Sequence, residues 1–146
     1  MENDPVTLGS AGYLTNFAAR LFVRRIQEQL NPLGLSVAAM PVIMALARRS
    51  PLTQRELAAA AAIEQPTMAA TLARLERDGV IVRTADPSDG RSALVSLSRD
   101  AQDKLPAVLE AARSVNGHAL SALSEHEQAL FFDIMQRVIG RLSEGP

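Results

Sequence analysis

The sequence predicts a mainly α-helical chain with one small β-hairpin set inside it, flanked at both ends by amphipathic helices. Three observations carry that prediction. Apolar residues recur at helical spacing over long stretches near both termini. Residues 52 to 98 change character in a fixed order, from a capped alanine-rich stretch through a turn to a second helical pattern, and then to a β-branched run around a turn cluster. With 146 residues, 47% of them hydrophobic, the chain can build one domain, or a small domain with helical extensions.

Taken in order, Leu14, Phe17, Leu21 and Leu30, with Phe22 and Ile26 alongside, define a first amphipathic helix that Asn31-Pro32-Leu33-Gly34 stops. A second helix starts after Ser36 and carries Met40, Ile43, Met44 and Leu46. Thr53 and Glu56 stand at capping-box spacing, so hydroxyl and carboxylate can satisfy orphan N–H groups reciprocally. Leu57 and Ala61 mark the buried stripe of this third helix, within a run of strong helix formers from Ala58 to Ala62. The turn falls around Ile63 and Glu64, and Pro66 suits the first helical position of the next helix, where its missing N–H costs nothing. Met68, Leu72 and Leu75 give that helix its inward face, and Gly79 ends it in a left-handed conformation.

The hairpin begins with Val80, Ile81, Val82 and Arg83. Asp86, Pro87, Ser88, Asp89 and Gly90 supply turn chemistry, and Ala93, Val95 and Leu97 then alternate with Ser92, Ser96 and Ser98 as in a half-buried strand. Further on, Leu105, Val108, Leu109, Ala112, Val115 and Ala119 form a long apolar stripe in which Pro106 is expected to bend or break the helix. Ser124 and Glu127 make a second capping box, followed by Leu130, Phe131, Ile134, Met135, Val138 and Leu142 on a broad apolar face.

Helix, turn, helix and polar-tipped hairpin make up a winged helix-turn-helix, whose second helix enters the DNA major groove while the hairpin reaches sideways. Thr67, Thr71, Arg74 and Arg77 lie on the face left over by Met68, Leu72 and Leu75. Short hydroxyls suit base edges, thymine methyls or phosphates, and arginine suits phosphates or guanine. Arg91, beside the hairpin tip, is placed for a minor groove, with Asp89 as an orienting acceptor for a nearby arginine.

Three segments, LTQRELA, EQPTMAATLARLERDGVIVR and DPSDGRSALVSLS, resemble the MarR family of bacterial transcriptional regulators in order and spacing. The Asp89-x-Arg91 pair matches the Asp-x-Arg of that family's wing. The resemblance implies that Gln65, Thr67, Met68, Thr71 and Arg74 read the major groove, and that Arg91 enters the minor groove. It also implies interlocked terminal helices from two subunits, with a ligand pocket between them and the winged domain, for which Phe17, Met40, Met44 and His118 are candidates. Repression is the family's more common mode. Ala69, Ala70 and Gly90 depart from the pattern, since polar or basic side chains are frequent there, so this chain offers DNA fewer contacts than a typical member.

Organisation follows from these elements: residues 1–146 form one chain, with a winged DNA-binding region at 36–98 and helical dimerisation regions at 10–32 and 99–144. Apolar stripes this long exceed what a small winged domain can cover, so pairing with a second copy is the simplest solution. The net charge is −1, but Arg48 to Arg99 holds eight basic and six acidic residues, net +2, leaving −3 elsewhere. With no cysteine, disulfides, thiolate metal sites and thiol-based oxidant sensing are excluded. No apolar run approaches the roughly 20 residues that span a bilayer, and the polar start MENDPVTLGS has no secretory pattern, so a cytoplasmic protein is expected.

His118 and His126 do not share the i, i+4 spacing of two ligands on one helical face, and neither a phosphate loop nor a nucleophile elbow is present. Neither an enzyme nor a cofactor or metal is expected. The expected partners are a pseudo-palindromic double-stranded DNA operator, a second copy of the chain and a small-molecule effector. The rival reading is a winged helix that binds protein rather than DNA.

Overall fold

The computed structural model describes residues 9–144; residues 1–8, most of the N-terminal stretch judged above for a secretory pattern, lie outside them. Helix α1 spans Ala11–Leu30, opened by the Ser10 hydroxyl, which accepts the Tyr13 N–H at 3.3 Å. It ends as the sequence implies: Asn31–Leu33 tighten into a 3-10 turn, and Gly34 adopts φ 68°, which costs a residue without Cβ little. The Gln27 side chain fastens the connection. Its amide donates to Asn31 Oδ1 at 2.7 Å and to the Leu35 carbonyl at 3.0 Å, while its oxygen accepts the Val37 N–H at 2.8 Å. Ser36 caps a second 3-10 turn, Val37–Ala39, that runs directly into helix α2, Met40–Arg48.

Strand β1, Leu52–Thr53, precedes helix α3, Gln54–Ala61, whose capping box forms in both directions between Thr53 and Glu56. The Thr53 N–H, then its hydroxyl, hold the Glu56 carboxyl below the ordinary glutamate range, with Arg49 adding to the effect. The turn includes Ala62, a non-glycine residue at φ 52°. Helix α4 spans Gln65–Arg77, with Glu64 before it, so Pro66 takes the second helical position and not the first. The shift costs nothing, because the first four N–H groups of any helix lack intrahelical partners. After α4, Gly79 at φ 72° turns the chain into the sheet.

Strands β2, Ile81–Asp86, and β3, Asp89–Leu97, form the hairpin, with Ile81 opposite Leu97, Arg83 opposite Val95 and a register irregularity between Ala85 and Asp86. Strand β1 adds antiparallel to the other side of β3, giving the order β1-β3-β2 with Leu52 opposite Val95. This third strand was not anticipated; two residues leave no alternation to detect.

Helix α5, Arg99–Leu120, passes through Pro106 as one helix, which corrects the expected break. Proline forfeits the bond to the Gln102 carbonyl, and the remaining turns of a 22-residue helix span that gap. Ser98 caps it: its hydroxyl accepts the Ala101 N–H at 3.1 Å and donates to the Gly79 carbonyl at 2.6 Å. Helix α6, Glu125–Ser143, carries the expected Ser124/Glu127 capping box.

The chain divides into two compact units, Met1–Ala111 and Ala112–Pro146, so the division falls inside α5. In the first, Leu30, Val42, Ile43, Leu57, Met68, Leu72, Ile81, Val95 and Val108 are nearly or fully enclosed, so α1, α2, α3, α4, the sheet and the start of α5 share one core. In the second, α6 buries no residue.

Candidate nucleic-acid interface

Helix α4 presents two faces with different chemistry. Met68 and Leu72 are 0% exposed and Leu75 2%, so the i, i+4, i+7 stripe is committed to the core. Gln65, Thr67, Ala70, Arg74 and Arg77 are exposed and Thr71 is half-buried. Thr67, Thr71 and Arg74 follow one another at i, i+4 and i+7 and therefore share a face. Met68 is not available to that face: its thioether fills the core, and its assignment as a groove-reading residue is withdrawn. The sequence pattern that places Met68 inward is the stronger guide at this position.

Two contacts hold this helix in place from its N-terminal side and its C-terminal side. Gln65 Oε1 accepts the Gln54 amide at 3.3 Å, tying the start of α4 to the start of α3. At the other end the Val80 N–H donates to the Leu75 carbonyl at 2.8 Å. Arg77 lies 3.7 Å from Asp78, while Arg74 has no ion-pair partner among the described residues.

The hairpin tip is built by short acidic turns. Asp86 accepts the Ser88 hydroxyl at 2.7 Å and the Ser88 N–H at 2.9 Å. The hydroxyl, then the N–H, keep its carboxyl below the ordinary aspartate range. Asp89 Oδ1 accepts the backbone N–H of Arg91 at 3.0 Å. The acceptor oxygen that was expected to serve a nearby arginine is therefore engaged by the main chain of Arg91 and not by a guanidinium. Arg91 itself is exposed, with no ion-pair partner among the described residues.

The surface gains two residues that the sequence reading passed over. Arg55, exposed at the second position of α3, adds a cation at the start of that helix, and Gln54 braces Gln65. The signal for Arg55 was its place in the first turn after a capping threonine, where a side chain must project away from the Leu57 stripe. Arg55, Arg74 and Arg91 are each exposed cations without an acidic partner among the described residues.

The four residues considered for a ligand pocket have different surroundings. Met44 lines a groove of about 430 Å³ between α2 and α3, with Pro41, Ala45, Arg48, Leu52 and Glu56 among its walls. Met40 packs half-buried against the core. Phe17 is exposed on α1, stacked on Tyr13 at 6.1 Å between ring centroids and covered by Arg20 at 5.7 Å. His118 is exposed in the last turn of α5. Among the described residues no group of three or more metal-ligating side chains comes together, and no single helix is long and apolar enough to cross a membrane.

Comparison with known proteins places this surface in context. The model of the MarR family matches residues 33–92, which span α2, the helix-turn-helix and the wing tip. The uncharacterised HTH-type transcriptional regulator YwoH of Bacillus subtilis is 36% identical over 89 residues, covering 61% of this chain and 64% of the relative, slightly under two thirds of its length. The crystal structure of a probable transcriptional regulator from Pseudomonas aeruginosa is similar with a TM-score of 0.81 and 31% identity, over 88% of this chain and 96% of that one. The PcaV regulator of Streptomyces coelicolor, solved in complex with its natural ligand, is similar with a TM-score of 0.78 and 25% identity, over 94% and 95% of the two chains.

Proposed function

The chain belongs to the MarR family of transcriptional regulators, and on that premise we propose that it acts as a homodimeric, sequence-specific DNA-binding repressor released by a small molecule. One observation supports the DNA reading above all others. Thr67, Thr71 and Arg74 share the solvent face of a helix whose opposite stripe is sealed in the core, and exposed Arg91 stands at the tip of the adjoining hairpin. That arrangement supports recognition by α4 in the major groove and by Arg91 in the minor groove. Gln65, Thr67, Thr71 and Arg74 are the proposed base and backbone contacts; Arg77 and Arg55 add phosphate contacts, and Asp89 sets the backbone at Arg91.

The winged region is proposed at 36–98, and the dimerisation region at 10–32 and 99–144. Apolar exposure supports pairing. Helix α1 exposes Tyr13, Leu14, Phe17 and Leu21, and α6 exposes Leu130, Phe131, Phe132, Ile134, Val138 and Ile139, each more than 40% open. Covering such faces with a second copy removes apolar area from water at about 25 cal/mol per Å². Low-micromolar sedimentation as a dimer is expected, and a monomer would refute the shared helical interface.

The role is regulatory and not catalytic, exercised in the cytoplasm. Phe17, Met40, Met44 and His118 remain the proposed effector contacts, and the ligand-bound PcaV structure is the precedent for an effector. A gel shift against the DNA upstream of the protein's own coding region, run at two salt concentrations, tests the function. Retention that weakens as salt rises is expected. No retention at either salt would favour a winged helix that docks on protein.

A further inference from the structure

Recognition by two elements at once requires that their spacing be fixed. Beyond its base the hairpin has few large apolar side chains with which to fix it. On β2, Ile81 is buried, and the next position on the same side of the strand, two residues on, is Arg83. At the edge of the core, opposite buried Val95, a cation takes the place of a hydrophobe. The Arg83 Nε lies 3.1 Å from Glu76 Oε2 in the last turn of α4, with the Arg83 side chain 30% exposed and that of Glu76 48%. The Nε atom is buried and not aligned for a hydrogen bond, so charge attraction holds the two groups together.

We propose that the Glu76–Arg83 ion pair is a positioning device that holds the wing at a fixed offset from helix α4, so that Arg91 and the Thr67–Thr71–Arg74 face engage one stretch of DNA together. The inference rests on the DNA reading above. Glu76 is an acid on the helix that would enter the groove, next to Arg77, and in the pair its repulsion toward phosphate and the attraction of Arg83 offset one another. Charge alone therefore predicts opposite signs for the two partners: losing Glu76 should strengthen DNA binding and losing Arg83 should weaken it. Positioning predicts the same sign for both, confined to the specific site.

That sign difference is the test. A duplex carrying an inverted repeat, selected by the full-length protein from a randomised pool, serves as the specific probe, and a shuffled duplex of equal composition as the control. Glu76→Gln and Arg83→Gln should each weaken binding to the selected duplex by about tenfold while leaving the control within about threefold, the size of loss typical of a misplaced specific contact. The exchange Glu76→Arg with Arg83→Glu should restore the selected duplex to within about threefold of wild type, because it rebuilds the pair with reversed polarity. In the Glu76→Gln background, Arg91→Ala should cost little more, since the wing is already misplaced.

Thermal unfolding of each variant checks that it is folded. Should a glutamine variant fail to fold, Glu76→Ala or Arg83→Ala carries the same sign comparison. Glu76→Gln tightening both duplexes while Arg83→Gln loosens both would overturn the proposal in favour of bulk charge. An exchanged pair that does not recover the selected duplex would overturn it as well. A wild-type protein that prefers no selected duplex over the control would instead overturn the DNA reading itself, and the positioning role with it.

Discussion

Asp89 accepts the backbone N–H of Arg91 at 3.0 Å, so an acid two residues upstream fixes the main chain at the residue that carries the wing guanidinium. This is an Asx-type turn, in which a side chain substitutes for a main-chain acceptor. It stands beside a second one at Asp86 and Ser88, and between them the two turns shape the hairpin tip.

Replacing Arg91 by alanine should weaken DNA binding by about 1–3 kcal/mol with no change in thermal stability, because an exposed tip contact is lost and the core is untouched. Asp89→Ala should weaken binding in the same direction but less, and Asp89→Asn, which keeps the accepting oxygen, should stay near wild type. Titration of a labelled duplex alongside a melting curve checks all three. Unchanged affinity for Arg91→Ala in a folded protein would remove the wing from the interface.

Met68 and Thr71, three residues apart on α4, should respond in opposite ways. Met68→Ala opens a cavity in a sealed core and should cost about 2–5 kcal/mol of stability, with no change in which half-site is preferred. Thr71→Ala should leave stability almost unchanged and alter half-site preference, while Arg77→Ala should weaken all sequences alike. Chemical denaturation paired with selection from a randomised duplex pool separates the three outcomes.

This contrast also shows where the sequence was informative. Both capping boxes, the Gly34 and Gly79 stops, the Met68–Leu72–Leu75 stripe and the hairpin turn could all be read from residue order, because each rests on local backbone chemistry. Strand β1 could not: Leu52 and Thr53 become a strand only by pairing with Val95 and Leu94, more than forty residues away. No break occurs at Pro106, because the turns on either side give cooperative support that a local rule about proline leaves out. At the interface, burial decided Met68 against a position carried over by resemblance. The partner of Arg83 was hidden because its ion pair crosses from helix to strand, and no periodicity announces such a contact.

Among the described residues, three carboxyls are held below their ordinary range by hydrogen bonds: Glu56 and Glu127 by the capping residues Thr53 and Ser124, and Asp86 by Ser88. A depressed folded-state value means that the unfolded chain binds protons more readily. The contribution is complete above the ordinary glutamate value of 4.5 and is lost as pH falls through the depressed folded-state values. Melting temperature should therefore decline below pH 4.5, and Glu56→Gln with Glu127→Gln should flatten that decline while lowering stability at neutral pH. An equally steep acid slope in the double variant would assign acid sensitivity to other groups.

The central claim is that two copies of this chain place paired α4 helices and Arg91 wings on DNA. A two-fold dimer sets its recognition helices about 34 Å apart and so favours an inverted repeat with half-sites roughly 10 base pairs apart. The measurement that tests it most directly is affinity for such a repeat against bulk DNA across a series of salt concentrations. With few cations per subunit, the slope of log affinity on log salt should have a magnitude of about 4 to 7 for the dimer, at roughly 0.9 per phosphate neutralised. A preference for the inverted repeat with a slope in that range is the predicted result. A slope near zero, with no repeat competing better than bulk DNA, would contradict the account and leave the winged helix as a protein-binding module.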